Sequence, residues 1–480
     1  MSRVMILGAG PLPRPGMSMV SAPSLRTRQL LKPVLEAGHT VYLFTLPLAG
    51  AEGPEGKVAA MMPDNYEGLT YQRFTNQNGE FALRALGEQV RQLKPDALVA
   101  VNTYPAFIGA RLPVSIPFWA DLNGYWMAEA QGRCWIRQDD AELAEAWVLE
   151  RAIVRRVDKF SAVSRPQLHA MLGELAGVGR LNRHTFEYPF GHHIPNAGFR
   201  WVEVDPQAGK RYPQPLLRGP IVPTDAFVIL WCGGFQAWAD VASLVGALNL
   251  LMARYASIHF VSLGGRIEGE ESRVFQQFEE LVEQSPHKDR FHHLGWLEPD
   301  RLARAYHESD LGINVDARNY ETMFGARNRL GAMASEGLAI VTTIGTEISE
   351  WLEDGHGALA APLGDPKALA EAIEPWIEQR EELEVYAGNA RRMMEREFTY
   401  AKTTQPLLKW LKTPRLAPDN QVKVEKNEGK MTDLSSMALN PLEEEAMLLE
   451  RHGIKHLQRA LADFEAGHAK TRRRFMFGMR

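Results

Sequence analysis

Short apolar runs alternate with longer segments of helical periodicity along the first 205 residues. The chain opens with the apolar run RVMILGAG, and the later segment SLRTRQLLKPVLEAG carries apolar residues at helical spacing up to Gly38. The runs HTVYLFTL, PDALVAVN, IPFWADLN and KFSAVS are also short and apolar, while DDAELAEAWVLERAIVRRV has the pattern of an amphipathic helix. Strands that alternate with helices predict a parallel sheet that is covered on both faces.

A second alternating set begins at residue 227, with the apolar runs FVILWCGG, IHFVSLGG, RFHHLGW, DLGINVD, LAIVTT and GALAAP. The stretch before it is rich in proline and glycine, which is typical of a linker. Residues 413–440 are polar and predict an extended segment, and two helical pieces with a basic, Phe/Met-bearing end follow. The sequence therefore predicts an α/β protein with a first domain over 1–205, a linker over 206–226, a second domain over 227–412 and a tail over 413–480. In such a fold, ligands bind in the cleft at the carboxyl ends of the strands.

Charge and cysteine content exclude several functional classes. The 480 residues include 54 basic and 59 acidic side chains, a formal charge of −5, so no global basic field indicates a nucleic-acid partner. The two cysteines, Cys134 and Cys232, exclude a disulfide framework and a cysteine zinc site and fit a reducing compartment.

No apolar stretch reaches the roughly 20 residues of a spanning helix, and the start is too short for a signal peptide. We expect a cytoplasmic protein.

The glycine-rich stretch VMILGAGPLPRPG raises the question of a dinucleotide site. Such a loop needs a third glycine three residues after the second and a helix directly behind it. Pro13 stands at that position, and the prolines around it prevent a helix there. The sequence instead predicts a loop in which Gly10 and Gly16 line a cleft on the side of an acceptor substrate. A glycine turn that is shaped only by packing is the alternative.

The segment NYETMFGARNRLGAMASEGLAIVTT has the most informative chemistry. Glu321 follows a strand, and Gly325, Arg327 and Arg329 open a helix of small residues. Helix N-terminal amides and guanidinium groups both bind phosphate oxygens, and a nearby carboxylate accepts a hydrogen bond from a sugar hydroxyl. The alternative is that both arginines are surface residues paired with nearby acids, such as Glu321 and Glu336.

At this point the chain resembles glycosyltransferases of the family-4 type, which have the two-lobed GT-B fold. The resemblance rests on WCGGFQAWADVASLVGAL, FHHLGWLEPDRLARAYHESDLGINV, ETMFGARNRLGAMASEGLAIVTT and GTEISEWLEDGHGALAAPLGDPKALAEAI, and more loosely on APSLRTRQLLKPVLEAGHTVYLFT in the first domain. It implies two Rossmann-like domains that face a central cleft. It further implies that a nucleotide-activated sugar binds the second domain, that an acceptor binds the first, and that the reaction retains the anomeric configuration.

Two departures from this family bear on activity. Most members carry an Arg and a Lys in the loop after the first strand of the second domain, where this chain has GGFQAWAD. The second glutamate of the family falls at Gly331 or Ala332. A branch of the family is similar in having a GG…W…D loop and an ET…R-x-R segment. By this resemblance, Arg327 and Arg329 would replace the missing cations.

The expected site residues fall into three groups by role. The expected catalytic residues are Asp121, Glu321, Arg327 and Arg329. The expected sugar-donor-binding residues are Gly233, Gly234, Asp240, Arg266, Gly295, Trp296, Gly325, Ile344 and Gly345. The expected acceptor-side residues are Gly10, Gly16 and Asn123. Helix capping is the alternative for Asp121 and Asp240, and a turn is the alternative for Arg266.

We therefore expect a glycosyltransferase that moves a sugar from a nucleotide diphosphate to a glycan, lipid-linked or protein acceptor, for instance in surface-polysaccharide synthesis. No metal or other cofactor is expected, because His192-His193 and His292-His293 lie in strands, where adjacent side chains point to opposite faces. A weakened homologue that serves as a sugar- or nucleotide-binding scaffold is the alternative. The tail is expected to pack on the body or dimerise, with contact to a partner or to the inner membrane face as the alternative. A nucleotide-sugar epimerase or other oxidoreductase is disfavoured, because its dinucleotide loop is missing.

Overall fold

The computed structural model of the chain describes residues 1–17, 19–48, 57–205, 207–208, 210, 214–266 and 272–426. The expectations for the tail beyond residue 426, including its basic end, concern residues outside this description. Across the described ranges, no helix combines the length and the apolar character that crossing a membrane requires.

The first sheet has eight strands, all parallel except one edge strand. The strands are β1 (Arg3–Gly10), β2 (Thr40–Pro47), β3 (Met61–Tyr66), β4 (Leu69–Phe74), β5 (Ala97–Val101), β6 (Phe118–Leu122), β7 (Lys159–Ala162) and β8 (Gly191–His193). They follow the spatial order β3-β4-β2-β1-β5-β6-β7-β8, with β3 antiparallel to β4. The central strands β5 and β6 are buried along their whole length, as continuous apolar runs predict for a sheet covered on both faces.

Three of the first-domain helices begin at side-chain caps. They are α1 (Ala22–Glu36), α2 (Gly79–Leu93), α3 (Thr103–Ala110), α4 (Trp126–Arg137), α5 (Ala141–Arg156), α6 (Arg165–Gly177) and the short α7 (Trp201–Val204). The side chains of Ser21, Asn78 and Ser164 each accept a hydrogen bond from a backbone N–H in the first turn of the helix that follows. The amphipathic pattern over residues 139–157 is confirmed as α5.

The second sheet is six-stranded and fully parallel. Its strands are β9 (Phe227–Gly234), β10 (Ile258–Gly265), β11 (Phe291–Gly295), β12 (Leu311–Asn314), β13 (Ala339–Thr343) and β14 (Leu359–Ala361), in the order β11-β10-β9-β12-β13-β14. All six predicted apolar runs are confirmed as strands. Gly264 pairs with Gly233 at the carboxyl edge, where a Cβ on Gly264 would lie 2.5 Å from the Gly233 carbonyl oxygen.

The helices of the second domain cover both faces of this sheet. They are α8 (Val241–Arg254), α9 (Arg273–Glu283), α10 (Pro299–His307), α11 (Tyr320–Phe324), α12 (Asn328–Glu336), α13 (Glu347–Asp354), α14 (Pro366–Glu378) and α15 (Arg380–Glu397). The predicted small-residue helix is confirmed as α12, and α11 is a separate short helix before it. Two buried apolar clusters, one on each side of the sheet, form the core of this domain.

The chain then returns to the first domain. The last described helices are α16 (Tyr400–Thr403), α17 (Gln405–Leu411) and α18 (Pro418–Lys426). Leu407 and Leu411 are buried in the same cluster as Val4 of β1, and the Asp419 carboxylate accepts hydrogen bonds from the Arg180 guanidinium at 2.5 and 2.9 Å. The prediction of an extended segment from residue 413 is therefore wrong for residues 418–426, because the buried Arg180 fixes this segment as a packed helix. The domain boundaries themselves stay predictions.

Candidate functional site

Loops at the carboxyl ends of the two sheets contact each other across the gap between the domains. The hydroxyl of Ser164, two residues after the end of β7, donates to the Phe324 carbonyl oxygen of α11 at 2.5 Å. The rings of Tyr125 and Phe324 meet edge to face, with their centroids 5.1 Å apart. This is the cleft position at which α/β folds bind ligands.

A buried cluster of charges follows β12 in this gap. The Arg327 Nε donates to Asp316 Oδ1 at 2.9 Å, and its two terminal nitrogens donate to the Glu321 carboxylate at 2.9 and 2.7 Å. All three side chains are at least nine-tenths buried. The alternative of a surface arginine is therefore wrong for Arg327, although its pairing with Glu321 is confirmed. Its guanidinium is committed to two carboxylates of its own domain.

Burial and charge oppose each other in this cluster. Burial raises the pKa of Glu321 above its usual range, and the neighbouring Arg327 only partly offsets it. Burial acts to lower the pKa of Arg327, but the charges of Asp316 and Glu321 outweigh it and the pKa is raised. The cation is thus fixed in its charged state. A carboxylate has about four acceptor sites, so the two Arg327 contacts leave Glu321 with further acceptor capacity.

Gly325 is required by the packing of this cluster. A Cβ at this position would lie 2.3 Å from Glu321 Oε1 and 2.8 Å from Arg327 Nη1. Both distances are shorter than any normal contact of a Cβ atom, so a side chain here would push the ion pair apart. Gly325 therefore shapes the site through sterics, and its expected contact with a sugar donor stays a prediction.

Arg329 has a different environment from Arg327. Its Nη2 donates to the Gly234 carbonyl oxygen at 2.7 Å, and its guanidinium carbon lies 3.9 Å from the centre of the Trp231 ring. Burial lowers its pKa to about 10. Its Nη1 is shielded from solvent and has no hydrogen-bond partner in the part of the chain that the structure describes. At the carboxyl edge, beside Gly233, this second cation thus has one donor group left unsatisfied among the described residues.

Other expected sugar-donor residues lie along the same edge of the second sheet. Gly295 ends β11 with a positive φ of 66°, and the Trp296 indole N–H donates to the Arg266 carbonyl oxygen at 2.9 Å. The Arg266 side chain is exposed. Ile344 is the first residue after β13, and its N–H donates to the Ala361 carbonyl oxygen at 2.9 Å. Their roles in binding stay predictions.

Two further expected residues, Gly345 and Asp240, have clear local partners. The Gly345 N–H donates to Ser349 Oγ at 3.1 Å, and a Cβ on this glycine would lie 2.8 Å from Thr322 Cγ2 of α11. Asp240 caps α8, because it accepts from the Ser243 N–H at 2.9 Å and from the Ser243 hydroxyl at 2.6 Å. The structure thus shows Asp240 as a helix cap, and its contact with a sugar donor stays a prediction.

Asp121 lies at the carboxyl end of β6 and is fully buried. It accepts two hydrogen bonds from the Arg26 guanidinium, at 2.8 and 2.7 Å, and one from the Ser161 hydroxyl at 2.6 Å. Arg26 also donates to the Ile194 carbonyl oxygen, which ties the first helix to the end of β8. The alternative that Asp121 caps the next helix is wrong. Its expected catalytic role stays a prediction. The interaction that the structure shows is a buried ion pair with Arg26.

The acceptor-side residues lie on loops at the same edge of the first sheet. Asn123 Nδ2 donates to Asn102 Oδ1 at 3.3 Å. Gly10 ends β1, where a Cβ would lie 2.6 Å from Thr45 Oγ1, so packing alone accounts for this glycine. Gly16 has a φ of +79°, and no atom of the described residues lies within 4 Å of the position that a Cβ would take. No helix begins in the loop up to Gly16, as its prolines predict, and its acceptor role stays a prediction.

Arg165 and Glu347, which the sequence did not single out, join the two domains together with His193. The Arg165 N–H donates to Glu347 Oε2 at 3.1 Å, and its Nη1 lies 3.5 Å from Glu347 Oε1. The His193 Nε2 lies 3.1 Å from Glu347 Oε2. A signal was present, because Ser164 and Pro166 mark the start of a helix at a strand end and so place Arg165 at the cleft. The partner across the gap is not visible from local sequence.

Metal-ligating groups are not clustered in the ranges that the structure covers. Within these ranges, no group of three His, Cys, Asp or Glu side chains is arranged to hold a metal ion. The expectation of a reaction without metal stays a prediction.

A family model covers part of the second domain. Residues 226–379 match the model described as Glycosyl transferases group 1, which is less than half of the chain. No match was found among curated protein sequences. The matched range contains β9 to β14 and every second-domain residue of the expected site.

Solved structures with the same architecture cover most of the chain. Sucrose-phosphate synthase from Thermosynechococcus elongatus has a TM-score of 0.61 at 13% identity, with 86% of this chain and 98% of that chain covered. The Anabaena protein HepE, in complex with UDP and glucose, has a TM-score of 0.61 at 15% identity, with 86% and 100% covered. A UDP-forming α,α-trehalose-phosphate synthase from Burkholderia xenovorans has a TM-score of 0.63 at 13% identity, with 86% and 99% covered. These similarities confirm the predicted fold.

The carboxyl edges of two Rossmann-like sheets thus face each other, and the sequence of the second matches a family model. The chain has the GT-B fold, and its second domain is similar to the Glycosyl transferases group 1 family over residues 226–379.

Proposed function

We propose that the chain is a glycosyltransferase that moves a sugar from a nucleotide diphosphate to an acceptor hydroxyl in the gap between its domains. The observation that carries the proposal is the Arg329 Nη1, a buried cationic donor without a partner among the described residues. It lies at the carboxyl edge of the sheet in the domain that matches the group 1 model. A diphosphate oxygen is a ligand that satisfies it in the charge-assisted manner typical of arginine.

The chemistry follows from where charge grows. As the bond between the sugar and the diphosphate breaks, negative charge builds on the leaving phosphate, and a fixed guanidinium stabilises that state more than the ground state. Arg329 takes this role, since Arg327 is committed to Asp316 and Glu321. Arg327 is then a positioning residue that orients Glu321. The remaining acceptor sites of Glu321 bind sugar hydroxyls.

Closure of the gap contributes by removing water. The Ser164–Phe324 hydrogen bond and the Tyr125–Phe324 ring contact bring the two edges together. A closed gap keeps water from hydrolysing the activated sugar. Several of the similar solved structures are complexes with UDP or a UDP-sugar, so UDP-sugars are the first candidates for the donor substrate. Retention of configuration, a family-4-type assignment, a cytoplasmic location and a glycan, lipid-linked or protein acceptor belong to this proposal through the sequence resemblance.

The test is a thermal-shift panel of UDP- and other nucleotide-sugars on the wild type, with Arg329→Gln as the variant. A ligand at 100 times its Kd stabilises the folded chain by about 2.7 kcal/mol. Loss of a charged hydrogen bond costs about 1.5–3 kcal/mol, so the variant should bind its nucleotide about 10- to 100-fold more weakly. Equal nucleotide affinity in both proteins would contradict the proposal.

A sugar- or nucleotide-binding scaffold without turnover is the second candidate. The stretch GGFQAWAD, from the end of β9 to the cap of α8, has no Arg or Lys. By the sequence resemblance, Gly331 or Ala332 stands where the family-4 type has its second glutamate. Incubation of the wild type with a bound nucleotide-sugar distinguishes the two candidates. Release of free nucleoside diphosphate, measured by chromatography with and without candidate acceptors, supports the enzyme, and stable binding without release supports the scaffold.

A further inference from the structure

Cationic groups are scarce where the sugar-donor diphosphate is proposed to bind. The loop from Gly233 to Asp240 is fully described and its sequence contains no Arg or Lys. Arg327 already faces two carboxylates. Of the two arginines in the segment from Glu321 to Arg329, this leaves Arg329 to face a group that carries two or more negative charges. Further positive charge has to come from outside this loop.

Arg165 of the first domain is placed to supply it. It is the first residue of α6, behind the capping residue Ser164. Its side chain is 64% exposed, whereas the side chain of its partner Glu347 is only 9% exposed. The contact between Arg165 Nη1 and Glu347 Oε1 is 3.5 Å long, at the outer limit of a hydrogen bond. Long contacts of exposed guanidinium groups stabilise a protein little, so this group is free to take a better partner.

The surroundings of Arg165 on the second domain are the expected sugar-donor loops. Ser164, its neighbour, donates to the carbonyl oxygen of Phe324, which precedes Gly325. Glu347 comes two residues after Gly345, and Gly345 packs against Thr322 of α11. The guanidinium of Arg165 therefore lies where the α11 segment and the loop after β13 converge.

Glu347 keeps a partner when Arg165 turns away. Its Oε2 is 3.1 Å from His193 Nε2 and also accepts from the Arg165 N–H at 3.1 Å. Both contacts are independent of the Arg165 side chain. Moving the guanidinium from Glu347 to a ligand therefore leaves no buried carboxylate without a contact.

We infer that Arg165 is a phosphate-binding residue that the first domain contributes to the site when the gap closes. The inference rests on the proposed function. The Arg165 fork would bind a phosphate group from the first-domain side while Arg329 binds from the second-domain side, so that phosphate binding and domain closure favour each other. The phosphate group is that of the nucleotide diphosphate or of a phosphorylated acceptor.

The experiment titrates uridine, UMP and UDP into the full chain by calorimetry and compares wild type with Arg165→Gln. If the diphosphate is the ligand, the variant binds UDP about 10-fold more weakly, uridine equally well, and the gain in affinity from UMP to UDP shrinks. Arg165→Lys should keep part of that gain. Arg200→Gln is the matched control, because Arg200 also reaches a second-domain glutamate, with its Nε 3.7 Å from Glu336 Oε2. It should bind UDP as the wild type does.

A second arm identifies the source of the phosphate. Glucose 6-phosphate is titrated with and without saturating UDP, and weaker binding to Arg165→Gln than to wild type assigns Arg165 to a phosphorylated acceptor. Equal affinities of wild type and Arg165→Gln for UDP, UMP and glucose 6-phosphate would overturn the inference. A wild type that binds no nucleotide contradicts the proposed function instead, and the glucose 6-phosphate arm then decides on Arg165 alone. Because the side chain is exposed, equal Tm values of the two proteins should confirm that the variant is folded.

Discussion

Replacing Arg327 by methionine removes the cation from a cluster that holds two buried carboxylates. Asp316 and Glu321 have side-chain exposures of 3% and 5%, and Arg327 makes three hydrogen bonds to them of 2.7 to 2.9 Å. Removing one partner of a buried ion pair costs about 3–5 kcal/mol, because the remaining charge is left without compensation. In a domain of about 150–250 residues, each kcal/mol lowers Tm by about 2–4 °C. We expect the Tm of Arg327→Met to fall by about 6–20 °C.

The loss of stability in Arg327→Met should increase as pH rises. Burial already raises the pKa of Glu321, and removing Arg327 raises it further. An acid whose pKa is higher in the folded than in the unfolded state stabilises the fold fully only below the unfolded value, and that contribution is lost as pH rises through the folded value. The difference in Tm between wild type and Arg327→Met should therefore be larger at pH 8 than at pH 5.

Differential scanning calorimetry at both pH values measures these shifts. Arg391→Met is the control, because Arg391 forms an exposed pair with Glu395 on α15 at 3.0 Å, and such pairs contribute at most about 1 kcal/mol. If Arg327→Met and Arg391→Met had equal Tm values at pH 8, the ion-pair cluster could not be what organises this loop.

Three more predictions follow from buried contacts. Gly325→Ala should destabilise the fold by about 1–3 kcal/mol through overpacking, because its Cβ would lie 2.3 Å from Glu321 Oε1. Gly331→Ala is the control: no atom lies within 4 Å of its Cβ, so it should be neutral or stabilise the fold by up to about 1 kcal/mol. If urea unfolding showed that both variants destabilise the fold, the overpacking argument would be wrong. Asp121→Asn should cost about 3 kcal/mol or more, since Arg26 loses its buried counter-charge; a Tm within 2 °C of wild type would refute the structural role. Burial, with Lys159 and Lys409 nearby, lowers the pKa of His192 to about 4. The contribution of the neutral His192 to stability is therefore complete above about pH 6.5 and is lost as pH falls toward about 4. From pH 7 to pH 5, the urea midpoint should drop less in His192→Phe than in wild type, and equal drops would contradict this prediction.

The strands could be predicted because the sheets are covered on both faces. A strand that is buried on both sides reads as a continuous apolar run, as in FVILWCGG and LAIVTT, and such runs need no knowledge of distant residues. The same holds for helix starts, since Ser21 and Asp365 cap helices within three residues of their own position. Local physics determines both features.

The site could be predicted only in part, because its charges pair over long separations. The segment from Glu321 to Arg329 was visible because its residues are neighbours in sequence. In the sequence, Asp316 only ends the apolar run DLGINVD, and its role appears when Arg327, 11 residues later, folds back onto it. The helical periodicity around Arg26 does not predict that its guanidinium pairs with a buried carboxylate, because that carboxylate belongs to Asp121, 95 residues away.

The return of the chain to the first domain had no local signal either. Asp419 pairs with Arg180, 239 residues earlier in the sequence, and the polar composition around Asp419 is also typical of an extended segment. Burying a charged residue such as Asp419 requires a buried partner of opposite charge, which here is Arg180. Composition carries no information on such a partner.

Crystals grown with UDP provide the most direct measurement, since the proposed function places the nucleotide diphosphate at the carboxyl edge of the second sheet. We predict diphosphate density within about 3.5 Å of the Arg329 Nη1, between Gly234 and the α11 segment. Density for the diphosphate at the glycine loop of residues 8–16, or on an outer face away from Arg329, would contradict the proposed function.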